Sequence, residues 1–266
     1  WSESDPDPAL GRDHHYGFIN ITSALSADRV FFNSRYHRES FLEGVDSFLS
    51  RMPDHNIPGG AARIGEKSYV LPLGLDLARF DAYRGDIERS GPPMILWNHR
   101  WEYDKNPEEF FRLLYILADE GHQFEVAVIG ESFSRSPDVF GEAAGRLGER
   151  IVRFGYVEPF EEYARLLLKA DIIPVTSHHD FFGASVVQAV YCDCYPVLPR
   201  KLAYPEHLPD DPGFFYGDFE GLVDLTRKRM TGIAATRAVE TREHVAFYDW
   251  SKMSGVYDAA LESLKG

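Results

Sequence analysis

The chain is poor in sulfur, with two cysteines and four methionines in 266 residues. Cys192 and Cys194 stand two apart, too close for an ordinary structural disulfide and too few for a zinc site. They are expected as buried free thiols, which suits a reducing cytoplasm. No run of about eighteen apolar residues occurs, so neither a membrane span nor a membrane partner is expected. No signal-peptide pattern opens the chain, and it begins at Trp1, so further residues are expected upstream. A glycine-rich phosphate loop of the GxGxxG or Walker form is also missing, which argues against a dehydrogenase or a kinase. There is no GxSxG elbow for a hydrolase. His178-His179-Asp180 has no HExxH or second His/Asp cluster to complete it, so no metal is expected. Positive charge is scarce: 28 Lys and Arg against 42 Asp and Glu leave a net charge of −14. That opposes broad nonspecific binding to nucleic acid. Local basic patches remain at Arg35/Arg38 and at Arg227-Lys228-Arg229, though such runs are commonly solvated faces.

What the chain does have is a hydrophobic content of 44% and an aromatic content of 14%, enough for a real core. From Met94 a regular rhythm sets in, with strands at Met94–Asn98, Phe124–Ile129, Ile151–Phe154, Asp171–Val175 and Tyr195–Leu198. Helices fall between them, and the pattern predicts an α/β fold with a parallel sheet. Residues 1–90 hold too few strands for a sheet of the same kind, and a polar linker ending in Gly-Pro-Pro closes them off. The expected organisation is a partial first domain over 1–90, a ligand-binding domain over 91–240, and a terminal helix over 241–266 that returns to the first domain.

The stretch Ser177 to Pro199 is the centre of this reading. A polar loop follows a buried strand, and Phe181-Phe182-Gly183 leads into an apolar helix, Ala184 to Tyr191. In an open parallel sheet that loop lies at the ligand edge, and the helix aims free N–H groups at the same place, which suits a phosphate. Arg100 and Lys105 follow the first regular strand. Two cations on a loop there suit a diphosphate, but the loop also carries Glu102 and Asp104, so taken alone the pair reads as solvated surface charges. Gln188 is conspicuous on a helix that is apolar nearly all round. Its amide needs partners, and a core backbone group is favoured over a ligand hydroxyl.

Together these pieces resemble the donor-binding half of a retaining GT-B glycosyltransferase. The matches are Val70 to Asp76 with Phe80, Asn98-His99-Arg100 with Lys105-Asn106-Pro107, Val128-Ile129-Gly130-Glu131, Phe154-Gly155-Tyr156-Val157, Asp180 to Gly183 with Gln188-Ala189, and Phe247 to Trp250. Tyr16-Gly17-Phe18, Phe32-Asn33-Ser34, Arg51 to His55, Arg100 to Pro107 and Cys192 to Pro196 are more closely similar to the tRNA-queuosine mannosyltransferase family. The resemblance implies transfer of mannose from GDP-mannose to queuosine in a tRNA anticodon, with retention. The departing diphosphate would serve as base, with no protein nucleophile, cofactor or metal. It implies Arg100, Lys105 and Asp180 as the residues carrying the transfer. Gly130, Glu131, Tyr156, Val157, Phe181, Phe182, Gly183 and Gln188 would bind the nucleotide sugar. Three departures stand out: Asp180 and Gln188 occupy the two Glu positions of the family's Glu-x7-Glu motif, and Asp193 replaces a usual Gly. The family also has an N-terminal half-domain of roughly a hundred residues that would precede Trp1. Other readings are a glycan or lipid acceptor on the same fold, or a nucleotide-sugar-binding fragment without activity.

Overall fold

A computed structural model of the chain describes residues 14–51, 57–85, 87–132 and 137–264. The loop expected over residues 1–13 and the family match over Met52 to His55 lie outside the described residues. The first elements are α1 (His14–Ser26), β1 (Val30–Phe32), α2 (Arg35–Ser50), α3 (Gly60–Gly65) and β2 (Ser68–Val70). β1 and β2 pair in parallel, and Ile21, Val45, Phe48, Leu49 and Ile64 form a small core between the three helices. Ser34 has extended backbone and its hydroxyl accepts from the backbone N–H of His37, so it caps α2 as its sequence position predicts.

The larger body holds β3 (Met94–Asn98), α4 (Pro107–Asp119), β4 (Glu125–Ile129), α5 (Val139–Leu147), β5 (Ile151–Gly155), α6 (Phe160–Lys169), β6 (Ile172–Pro174), α7 (Ala184–Tyr191), β7 (Tyr195–Pro199), β8 (Phe215–Tyr216) and α8 (Phe219–Thr231). The short α9 (Ile233–Arg237) and then α10 (Trp250–Glu262) follow. Every pair in the six-stranded sheet is parallel. The strand order is β5-β4-β3-β6-β7-β8. The chain therefore steps outward from β3 to β5, returns to the other side of β3, and steps outward again. Right-handed crossovers then put α4 and α5 on one face and α6 and α7 on the other, and α8, which follows the last strand, packs beside α4. β8 is only two residues long, too short to carry a periodic sequence pattern.

Local sequence accounts for most of these elements. β3 is buried at every position, as a central parallel strand must be. α4 buries Phe110, Phe111, Leu113, Leu114 and Leu117 on one stripe and starts with Pro107. Asn106, before that proline, has φ 52°. Proline disfavours the right-handed helical region for its predecessor, and asparagine tolerates the left-handed one.

Hydrogen bonds join the last described segments to residues 72–75 and to Arg29. Trp250 N–H donates to the Leu75 carbonyl at 2.7 Å and Leu75 N–H to Tyr248 at 2.9 Å. Tyr257 Oη donates to Pro72 at 3.1 Å, and Arg29 reaches Ser263 at the far end. A second crossing gathers on Asp193, whose φ of 59° explains why glycine suits this position. Its carboxylate accepts from Arg84 and from the backbone N–H groups of Thr241 and Arg242, which ties three segments together.

Candidate functional site

The strand order reverses at β3, whose neighbours are β4 and β6. Loops leaving the carboxyl ends of β3 and β6 diverge there, and a crevice opens between them. A cleft of about 360 Å³ lies at this place, lined by Asn98, His99, Arg100, Lys105, Gly130, Glu131, Asp180, Ala184 and Ser185. Five of the expected site residues meet in its wall: Arg100, Lys105, Gly130, Glu131 and Asp180.

Lys105 is held most firmly, with 9% of its surface exposed. Its ammonium donates to the His179 carbonyl at 2.8 Å and faces Asp104 at 3.1 Å and Asp180 at 3.5 Å. Arg100 stands at the rim, forked onto Glu102 at 3.0 and 3.1 Å. Burial raises the Glu102 carboxyl pKa despite that arginine. Asp180 Oδ2 accepts from the buried Tyr204 hydroxyl at 3.2 Å, and Oδ1 from Phe182 N–H at 3.3 Å. Its carboxylate thus anchors the turn that starts α7 as well as facing Lys105.

Gly130 has φ 151°, and a Cβ there would lie 1.9 Å from the His99 carbonyl oxygen. Only glycine lets the β3 and β4 loops come this close, and Trp101 N–H donates across to Glu131 at 2.9 Å. Gly183, at φ 81°, is the left-handed residue before α7. No side chain caps that helix, so its first N–H groups stay available at the cleft wall that Ala184 and Ser185 form.

The other expected residues lie outside this wall. Phe182 is buried against His207 and Tyr248, and its carbonyl accepts from His207 Nε2 at 2.5 Å. Phe181 stacks on His37 at 3.9 Å, and its carbonyl accepts from Ser34 Oγ at 2.5 Å, which ties the loop to α2. Tyr156 is 63% exposed beyond β5, and Val157 is buried. Gln188 Oε1 accepts from Tyr163 Oη at 2.7 Å, a side-chain hydroxyl where the sequence favours a backbone group, because the phenol of α6 packs beside α7. Tyr163 in turn accepts from Asn98 Nδ2 at 3.0 Å, and burial pushes its phenol pKa up. This chain of bonds links Gln188 to the cleft wall at one remove.

Sequence reasoning passed over His99, Ser185 and Asn98 as individual site residues. A polar pair directly after a buried strand was the available signal. Both thiols are free and buried, and burial pushes Cys192 up to about 12. Arg227 is spent on Glu120 and Asp224, and Arg229 lies over Tyr195 at 4.2 Å, so that run braces the fold. Arg38 donates to the Gly65 carbonyl, while Arg35 is largely exposed. Among the described residues no three His, Cys, Asp or Glu gather into a possible metal-holding group, and no helix is long and apolar enough to cross a membrane.

Residues 6–75 match the family model described as tRNA-queuosine alpha-mannosyltransferase N-terminal. The tRNA-queuosine alpha-mannosyltransferase of Drosophila melanogaster is 38% identical over 207 residues, 75% of this chain and 55% of the fly protein. The chain thus spans about half the length of that relative. Among solved structures, sucrose-phosphate synthase from Thermosynechococcus elongatus aligns with a TM-score of 0.69 at 18% identity, covering 97% of this chain and 64% of the other. Anabaena HepE, solved in complex with UDP and glucose, aligns with a TM-score of 0.69 at 16% identity over 95% of this chain and 68% of the other. These likenesses show the fold, which is that of GT-B glycosyltransferases.

Proposed function

We propose that this chain, a relative of the tRNA-queuosine alpha-mannosyltransferases with a GT-B fold, binds a nucleotide sugar in the switch-point cleft, preferring GDP-mannose, and transfers the sugar with retention to queuosine in a tRNA anticodon. The observation that carries it is the meeting of Arg100, Lys105, Asp180 and the uncapped start of α7 around one cleft. A diphosphate there would exchange with carboxylates for the two cations and accept from the first N–H groups of the helix. Charge-assisted bonds to the leaving diphosphate stabilise the negative charge that builds as the glycosidic bond breaks. In this reading Asp180 accepts from a sugar hydroxyl, and Gln188 offers the ribose what Tyr163 leaves of its amide. No metal or protein nucleophile enters this reading, because the diphosphate oxygen takes the acceptor proton. A tRNA acceptor agrees with the cytoplasmic location expected from the thiols.

The test is titration of the chain with GDP, UDP and their sugars, followed by transfer assays on queuosine-containing tRNA. GDP-mannose is expected to bind best. Arg100→Ala and Lys105→Ala should each weaken it by about 1.5–3 kcal/mol. Unchanged affinity in both folded variants would falsify the diphosphate assignment. Donor hydrolysis without transfer to tRNA would leave the donor site and move the acceptor to a glycan or lipid.

A further inference from the structure

One polar group in the cleft wall has no task in the reading above. His99 is 4% exposed. Its carbonyl accepts from Trp97 Nε1 at 2.9 Å, and the Trp97 ring meets the imidazole edge-on at 5.2 Å. Gly130 closes on the same carbonyl, so the ring sits in a fixed seat. Its Nδ1 lies 3.1 Å from Ser185 Oγ, and its Nε2 is buried without a partner. Ser185 belongs to the first turn of α7 and faces the cleft.

A neutral imidazole carries one N–H, and burial with Lys105 nearby keeps this ring neutral, pulling its pKa down to about 3. With the hydrogen on Nε2, a buried N–H would stand without an acceptor. With it on Nδ1, only a lone pair goes unmatched, which is the less costly orphan. Nδ1–H then donates to Ser185 Oγ, and the serine's own hydrogen must point elsewhere.

We propose that His99 is a positioning residue that commits the Ser185 hydroxyl to donate into the cleft, onto a phosphate oxygen of the bound nucleotide. This rests on the donor-site reading above. The fit is one of polarity. The start of α7 offers donors, and an anion needs donors. A freely turning hydroxyl could present its lone pairs instead, whereas one held by an N–H is set before the ligand arrives.

Ser185→Ala, His99→Asn and His99→Gln test it, with the full chain titrated with GDP and with UDP by calorimetry. An asparagine amide reaches roughly where Nδ1 stands, and a glutamine amide where Nε2 stands. Ser185→Ala and His99→Gln are each expected to weaken nucleotide binding about tenfold, and His99→Asn to restore it to within about threefold of the unaltered chain. The double variant of Ser185→Ala with His99→Gln should bind no more weakly than Ser185→Ala alone. Urea midpoints are measured alongside, since a merely structural histidine would show both His99 variants equally unstable and equally weak. The positioning role is overturned if His99→Gln binds as the unaltered chain does, if the double variant is additive, or if His99→Asn is as weak as His99→Gln. If the unaltered chain binds neither GDP nor UDP, the donor-site reading falls and takes this one with it.

Discussion

Asp180 and Gln188 depart from the resembled family in opposite ways. Asp180 is one methylene shorter than glutamate, so its carboxylate stops roughly 1.5 Å short of the reach a glutamate has. It is also tied to Tyr204 and Phe182. Asp180→Glu is therefore expected to change the affinity for GDP-mannose more than that for GDP. Equal changes in calorimetry would instead make Asp180 the anchor of the α7 turn alone. Gln188→Glu should tighten GDP, because one carboxylate oxygen can keep the Tyr163 bond while the other accepts from the ribose with charge. Neutral histidines give a pH dependence. Burial, then Lys105, pulls His99 to about 3, and burial, then His179, pulls His37 to about 4. Unfolded histidine titrates near 6.5, so below that value the unfolded chain takes up more protons. Stability from these groups is complete above about pH 6.5 and drains away as pH falls through the folded pKa values. Urea midpoints should drop between pH 6.5 and 4.5, and His99→Asn should flatten part of that slope. The need for a partner at Gln188 was legible from its apolar surroundings, but Tyr163 lies 25 positions earlier and no local pattern names it.

Elements were read well where their signals are local. β3 and α7 have the bounds their sequence patterns predict, because an unbroken apolar run and a glycine-led helix start need no distant partner. α3 and α8 were missed, and β8 is too short to carry a period. The start of α2 shows what local reading cannot supply. Ser34 caps it, yet the N–H groups of Arg35 and Tyr36 donate to Glu206, both at 2.9 Å, from a segment 170 positions away. A carboxylate at a helix N-terminus satisfies orphan donors and complements the dipole. Glu206→Ala is expected to cost about 1–2 kcal/mol in chemical denaturation, and Glu206→Gln less. An unchanged midpoint for the alanine variant would mean that water replaces the carboxylate without loss.

At the scale of the whole molecule, the return of α10 to the first part of the chain depends on absent atoms. A Cβ on Gly74 would lie 1.9 Å from Trp250 Cε3. Gly74→Ala should destabilise the chain by about 2–3 kcal/mol, and adding Trp250→Ala should recover part of that loss. Strict additivity of the two substitutions would show that this crossing does not couple the segments. The fold class, the parallel sheet and the two cations that follow β3 are legible in the sequence itself. Periodicity, the bounds of β3 and the placement of Pro107 are properties of neighbouring residues, and neighbouring residues are what a sequence displays. The order of the strands is not such a property. Only the packed sheet decided that β6 returns beside β3, and that return brings the loop of Arg100 and Lys105 against that of Asp180 and sets His99 on Ser185. Crossovers of similar length can reach several strand positions, and the choice among them is made by how whole hydrophobic faces cover one another.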